Sequence, residues 1–353
     1  MAVPSFDSLP AAESVADSGT PSAGRTPPRN GSVGTIGRRI LLANVVAEVG
    51  IVVTGGLVRL TGSGLGCPTW PECTDESLVP VPSQSEGFHK FIEFGNRLLT
   101  FAVLVAAVAA LIVVLRPWLA RRFPALARLG EPGTVRRPLV WLAVGVNVGI
   151  VAQAALGGIT VLLDLNPAVV AAHFLLSMAM IAVSYFLYRR GADSADQPVT
   201  IVVRQELRWV AYSLVGFGIA ILVLGTVVTG SGPHSGDADE AARFGLDVRM
   251  VSWLHADLVM LFLGLALAFT LGARLSGAPV HATRAGLALL AACLVQGAIG
   301  YTQYFTGVPV PLVSLHMLGA CLVWVATLEV LISTRTRGST PAEGSSERSV
   351  VVP

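Results

Sequence analysis

Eight apolar runs, each long enough to cross a bilayer, leave this chain few folds to choose from. A helix rises about 1.5 Å per residue, so roughly 20 apolar residues cover the ~30 Å hydrocarbon core. The runs lie near residues 40–60, 91–115, 138–160, 168–188, 209–230, 250–272, 284–305 and 311–333. Lipid offers the backbone no hydrogen-bond partners, and runs of this length satisfy it as helices. The expected fold class is therefore all-α, a polytopic membrane protein with eight transmembrane helices. Composition agrees, because 53% hydrophobic against 13% charged residues excludes a soluble globular chain.

The flanks and loops sort by charge. Residues 1–37 are rich in Ser, Pro, Gly and Ala with no apolar face, which predicts a disordered extension rather than a cleaved signal peptide. Residues 335–353 read as a disordered tail in the same way. Arg25, Arg29, Arg38 and Arg39 precede the first span. Arg116, Arg121, Arg122, Arg128, Arg136 and Arg137 join the second and third, and Arg189, Arg190, Arg204 and Arg208 join the fourth and fifth. This positive-inside bias puts both termini in the cytoplasm of a cell-membrane protein. The opposite loops carry Glu72, Asp75, Glu76, Asp237, Asp239 and Glu240. Topology accounts for the net charge of +2, so the partner it implies is membrane lipid and no nucleic acid.

Two stretches repeat one design. AQAALGGITVLLDLNPAVVAAH ends on His173 and VQGAIGYTQYFTGVPVPLVSLH ends on His316, and each places its histidine 20 residues beyond a glutamine, Gln153 or Gln296. Folding the chain at the loop near Arg189 to Arg208 lays spans one to four over spans five to eight. The halves are then two pseudo-repeated four-helix bundles, residues 38–190 and 209–334, joined by a cytoplasmic linker at 191–208. In that overlay Asn96 aligns with His255, and His173 with His316. Each of the four lies about five residues, roughly 8 Å, inside the outer end of its span. Gly157, Gly158, Gly297 and Gly300 near the turns leave room for close backbones or a flat macrocycle.

An imidazole inside a membrane span is expensive without a partner, so duplicated histidines point to a metal centre or a proton path. In the second half His255 and His316 sit on alternate spans at one depth and suit the two axial positions of a haem iron. The bland alternative satisfies each ring with Gln296 or a backbone carbonyl. Zinc is disfavoured, since apart from Asp257 little else at that level would complete a site. In the first half His173 faces Asn96, which leaves at most one strong ligand from the pair. Glu93 lies three residues before Asn96 on the same helical face, and His89 a turn further out. Glu93 is either a functional carboxylate or the ion-pair partner of Arg97 or Arg59. Glu48, deeper in span one, is a second unexplained carboxylate. His89, His234 and His281 are expected to be solvated.

Of four cysteines, Cys67 and Cys73 fall in the first outward loop, and Cys293 and Cys321 fall within spans seven and eight. An oxidising outer face and the short spacing favour a disulfide between the first two over free thiols, closing a loop around Pro68, Trp70 and Pro71. The spacing is wider than a Cys-x-x-Cys redox motif, which weakens a thiol oxidoreductase reading. A transporter reading is weakened by the gathering of the histidines near one face.

The run GGLVRLTGSGLGCPTWPEC, the segment EFGNRLL, the eight spans in two halves and the histidines on spans four, six and eight together resemble the haem A synthase family of bacterial membranes. The resemblance covers roughly residues 38–333. It implies oxidation of one methyl group of haem O, the substrate, to a formyl group, giving haem A for terminal oxidases. It implies haem b in the second half, held by His255 and His316, and a substrate haem in the first half with Glu93 nearest the chemistry. A disulfide matching Cys67 to Cys73 caps that half, with its redox state linked to activity. Haem O synthase and terminal oxidase assembly factors are the implied partners. The chain departs from the pattern Glu-x-x-His-Arg at Glu93-Phe94-Gly95-Asn96-Arg97, so either His173 alone holds the substrate haem iron, or His89 moves in, or that haem is held mainly by its edge. The first is preferred because His89 lies about two turns, roughly 10 Å, from Asn96. The rival reading is a b-type electron-transfer cytochrome in which both halves hold permanent haem.

Overall fold

The computed structural model describes residues 33–123, 135–193, 198–234, 236–237 and 242–337. Eight helices in it are long and apolar enough to cross a membrane. They are α1 (Gly34–Leu60), α2 (His89–Arg122), α3 (Arg137–Leu162), α4 (Pro167–Gly191), α5 (Gln205–Ser231), α6 (Val248–Leu275), α7 (Val280–Phe305) and α8 (Val310–Ser333). Proline opens the first turn of α3, α4 and α8 as Pro138, Pro167 and Pro311, where its fixed φ suits a turn that has no intrahelical N–H bond to lose.

Within each half the helices touch in a closed ring: α1 with α2, α2 with α3, α3 with α4 and α4 with α1, then the same cycle from α5 to α8. Diagonal helices make no close backbone contact among the described residues. A ring without diagonal contacts leaves its axis to side chains, and this repeated geometry is what positions the site. The first half has its own core around Leu41, Ala107, Ala143, Val146 and Met180, and the second around Leu214, Phe262, Ala266, Phe269 and Leu289. A third cluster, including Val45, Val52, Ile181, Cys321, Trp324 and Leu328, welds α1, α4 and α8 across the seam. There Trp324 Nε1 donates to the Met178 carbonyl at 2.9 Å, which satisfies an indole N–H that lipid could not. Cys293 and Cys321 are buried thiols in these cores, as inert packing requires.

The ends of the bundle differ from the sequence reading in instructive ways. Helix α1 starts at Gly34, so residues 34–37 of the expected disordered extension are helical; the rest of that extension, 1–32, lies outside the described residues. Helix α2 runs on to Arg122, well past its apolar run. Helical bonding does not stop where hydrocarbon stops, and Arg38, Arg116, Arg121 and Arg122 can carry a helix outward by extending their charged ends to water. The linker and tail are not structureless either: β1 (Val199–Ile201) pairs antiparallel with β2 (Arg335–Arg337). Residues 338–353 lie outside the described residues. This strand pair marks one end of the molecule, where Arg136 also donates to the carbonyls of Arg190 and Asp193.

The opposite end carries the disulfide of Cys67 and Cys73, both fully buried. Its loop covers the first half: Trp70 lies against Gly158 of α3, and Gly64 N–H donates to the Gly236 carbonyl at 2.8 Å.

Candidate functional site

Four polar side chains form one layer beneath the disulfide end. Asn96 and His255 each stand seven residues after the start of their helices, and His173 and His316 six. At about 1.5 Å per residue that is a depth of roughly 9–10 Å, slightly more than the apolar runs implied because the helices begin earlier. Asn96 is diagonal to His173 in the first ring, and His255 to His316 in the second.

Every member of the layer lies over a glycine of the preceding helix. A Cβ on Gly300 would stand 3.1 Å from His316 Cε1, one on Gly157 3.2 Å from His173 Cε1, and one on Gly225 3.4 Å from His255 Cε1. A Cβ on Gly55 would stand 3.7 Å from Asn96 Nδ2. The fourfold arrangement of glycine beneath ligand-type side chain was not visible in the sequence, whose four glycines near the turns, Gly157, Gly158, Gly297 and Gly300, include only two of the layer's four. Gly158 proves to lie under Trp70, and Gly297 has open space at its Cβ position.

The imidazoles leave one nitrogen each without a partner, although the His255 ring also lies against the Ile221 backbone. Nδ1 of His173, His255 and His316 is buried without a hydrogen bond. The glutamines serve the backbone: Gln296 Nε2 donates to the His316 carbonyl at 2.8 Å, and Gln153 Nε2 to the His173 carbonyl at 3.1 Å and to Ser177 Oγ at 2.6 Å. The alternative in which Gln296 satisfies a histidine ring is thereby overturned. The glutamines tie α3 to α4 and α7 to α8 at the level of the layer and leave the rings uncommitted. Among the described residues no three His, Cys, Asp or Glu side chains gather into a metal-ion site. Two facing imidazoles alone match instead a planar macrocycle that brings four ligands of its own.

In the first half Asn96 Oδ1 accepts from Thr54 Oγ1 at 2.8 Å, so this amide is already engaged by α1. Glu93 is buried, with 6% of its surface exposed, and does not face the layer freely. One carboxylate oxygen accepts from Arg97 Nη2 at 2.6 Å and Nε at 3.1 Å, and the other from the Cys67 amide at 2.7 Å. Arg97 also donates to the carbonyls of Cys67, Thr69 and Glu72, and this one guanidinium fastens the disulfide cap to α2.

Arg59, the other cation considered for Glu93, is not there. It reaches across to the second half and donates to the carbonyls of His234 and Thr229 at 2.8 and 3.0 Å. His89 and His234 are half-buried and bonded rather than solvated: His89 Nδ1 lies 2.8 Å from Ser63 Oγ, and His234 Nε2 lies 2.9 Å from the Val308 carbonyl. His281 is exposed as expected.

Residues 38–328 match the family described as cytochrome oxidase assembly protein, COX15-CtaA. The chain is also similar to curated relatives named "Heme A synthase". It is 32% identical to one from Geobacillus kaustophilus over 39% of this chain and 37% of that protein, and 30% identical to one from Lysinibacillus sphaericus over 52% and 56%. With one from Methylobacterium sp. it shares 27% identity over 85% of this chain and 93% of the relative. The more similar alignments thus span only about half of the relatives or less.

Proposed function

Since the chain belongs to the cytochrome oxidase assembly protein family, we propose that it is a haem A synthase, oxidising a methyl group of haem O to formyl and so making haem A for terminal oxidases. The observation that carries this reading is the asymmetry of one repeated layer. The second half offers two imidazoles on diagonal helices, each with a buried Nδ1 that accepts and donates nothing, and the first offers His173 opposite an amide that Thr54 already holds. A closed bis-histidine site suits electron transfer, and a site short of one ligand suits an exchangeable guest. The relatives are named for the proposed activity.

His255 and His316 would hold haem b, their partnerless nitrogens and the clear axis of the ring fitting that group. Bound there, haem b supplies one-electron transfer. His173 would take the iron of haem O, the substrate. Glu93, with both oxygens already accepting hydrogen bonds, acts as a fixed negative charge at the rim of the first half, steadying positive charge that develops at the methyl carbon. The cap above it excludes water from the pocket. Haem O synthase and terminal oxidase assembly factors are the natural suppliers and users of the two haems. The arginine-rich β-strand end is the cytoplasmic face of the cell membrane in this reading, with both termini there.

Glu93→Ala should abolish formyl product while leaving the spectrum of the second-half haem intact. Normal haem A from that variant would remove Glu93 from the reaction. A b-type electron carrier, the competing reading, would hold haem in both halves and yield no alcohol or aldehyde derivative on extraction.

The glycine layer gives a second check. Gly300→Val would drive branched carbons into the His316 ring, and should lower bound haem b by about tenfold or more, the range seen when a metal ligand loses its support. Gly297→Val, at a position with open space, should leave haem content near wild type. Equal losses in both variants would show that the ring is not seated as described.

A further inference from the structure

Glu48 lies about two turns of α1 below the layer and belongs to none of the ion pairs among the described residues. It is 4% exposed, in the middle of α1, and Oε1 has no hydrogen-bond partner. One turn earlier, Asn44 is fully buried; its Nδ2 donates to Ser184 Oγ at 3.0 Å, and its Oδ1 is without a partner. Residues four apart share a helix face, so two orphaned acceptors meet on one wall of α1. No cation is committed to them among the described residues. Of the basic groups on α1 and the helices packed against it, Arg97 is bound to Glu93, Arg189 to Glu329 and Lys90 to the Val81 carbonyl, and Arg59 reaches the other half. Arg38, Arg39, Arg116, Arg121, Arg122 and Arg190 lie toward the β-strand end, where Val113 of α2 meets Gly37, eleven residues before Glu48.

Two buried acceptors with no donor are expensive in lipid, and a single hydrogen resolves both. We propose that Glu48 and Asn44 form a proton-holding site in the seam between the halves, with the Glu48 carboxyl O–H donating to Asn44 Oδ1. The seam also supplies its access. Beyond Ser184, toward the β-strand end, Tyr185 O–H donates to Glu329 Oε2 at 2.8 Å, and Glu329 pairs with Arg189 at 2.9 Å. The side chains of Glu329 and Arg189 are 28% and 36% exposed, so this pair meets solvent, and the proposed route runs from it past Tyr185 and Ser184 toward Glu48. In the other direction Glu48 shares its helix face with Gly55, seven residues on and about 10 Å away, against which Asn96 rests. Converting a methyl to a formyl group moves protons as well as electrons, and a proton store beneath the first-half pocket serves that need. This use rests on the proposed function; the site itself does not.

Infrared spectroscopy of the full-length protein in detergent, without turnover, tests the site. At neutral pH the wild type should show the carbonyl stretch of a protonated carboxylic acid, which Glu48→Gln removes, Glu93→Gln leaves in place and Asn44→Leu shifts. In deuterated buffer that band should exchange, and Tyr185→Phe should slow the exchange several-fold. A band unaltered by Glu48→Gln, or a wild type with no such band because Glu48 is ionised beside a bound sodium ion, overturns the site. Unchanged exchange in Tyr185→Phe overturns the access route. If the band behaves as expected and Glu48→Gln still makes haem A at the wild-type rate, the use in turnover is overturned.

Discussion

Replacing His316 with alanine should empty the second half of the haem proposed there, and His255→Ala should do the same. The two residues stand on diagonal helices of one ring, their Cε1 atoms lie over Gly300 and Gly225, and neither has a hydrogen-bond partner at Nδ1. The glutamine beside His316 spends its amide nitrogen on a backbone carbonyl, and no cluster of three His, Cys, Asp or Glu side chains among the described residues stands by as a second site. Altering a group that merely supports a metal ligand costs about 10–100-fold in affinity, and losing an axial imidazole should exceed that. The haem-to-protein ratio and the reduced-minus-oxidised spectrum of purified protein read the result. His173→Ala should leave this absorbance in place, because it belongs to the other ring. Wild-type haem content in His316→Ala would mean that the iron is held elsewhere.

Arg97→Leu should be the most damaging change to the cap. It strands Glu93 as a buried charge and leaves the carbonyls of Cys67, Thr69 and Glu72 without their shared donor. Removing one partner of a buried ion pair costs about 3–5 kcal/mol, and even one shared guanidinium here spans both α2 and the disulfide loop. The expected signs are a lower melting temperature and faster reduction of the Cys67 to Cys73 disulfide by external thiol. Arg97→Lys should rescue only part of the loss, since an ammonium cannot reproduce the forked donation to four acceptors. Pairing Arg97→Leu with Glu93→Gln should recover much of the stability, because the stranded charge is gone. A double variant no better than Arg97→Leu alone would place the damage in the loop carbonyls rather than in Glu93.

Much of this architecture was legible because hydropathy is written residue by residue. The eight spans, their halving and the alignment of His173 with His316 and Asn96 with His255 all follow from apolar runs and spacing, and the helices occupy those runs. The overruns were not legible: α1 and α2 continue through Arg38, Arg39, Arg121 and Arg122, where hydropathy falls but helix propensity does not. The pairing of Val199–Ile201 with Arg335–Arg337 was hidden for the opposite reason, since three-residue strands in charged linkers carry no alternation to read.

At the site, Glu93 and Arg97 announce each other by their spacing of four. The carbonyls that Arg97 gathers, and those that drew Arg59 away from Glu93, have no sequence signature at all, because every residue owns one. The glycines beneath the layer are equally mute, as small residues are common in membrane helices and only geometry tells Gly300 from Gly297.

The most direct test is chromatographic identification of the haems extracted from membranes in which this chain is expressed together with a haem O synthase. The proposed function predicts haem A, with the intermediate alcohol of haem O at lower level, and its loss in Glu93→Ala despite an unaltered second-half spectrum. Haem O and haem b alone from the wild-type chain, with reducible b-type absorbance present, would contradict it and leave an electron carrier in its place.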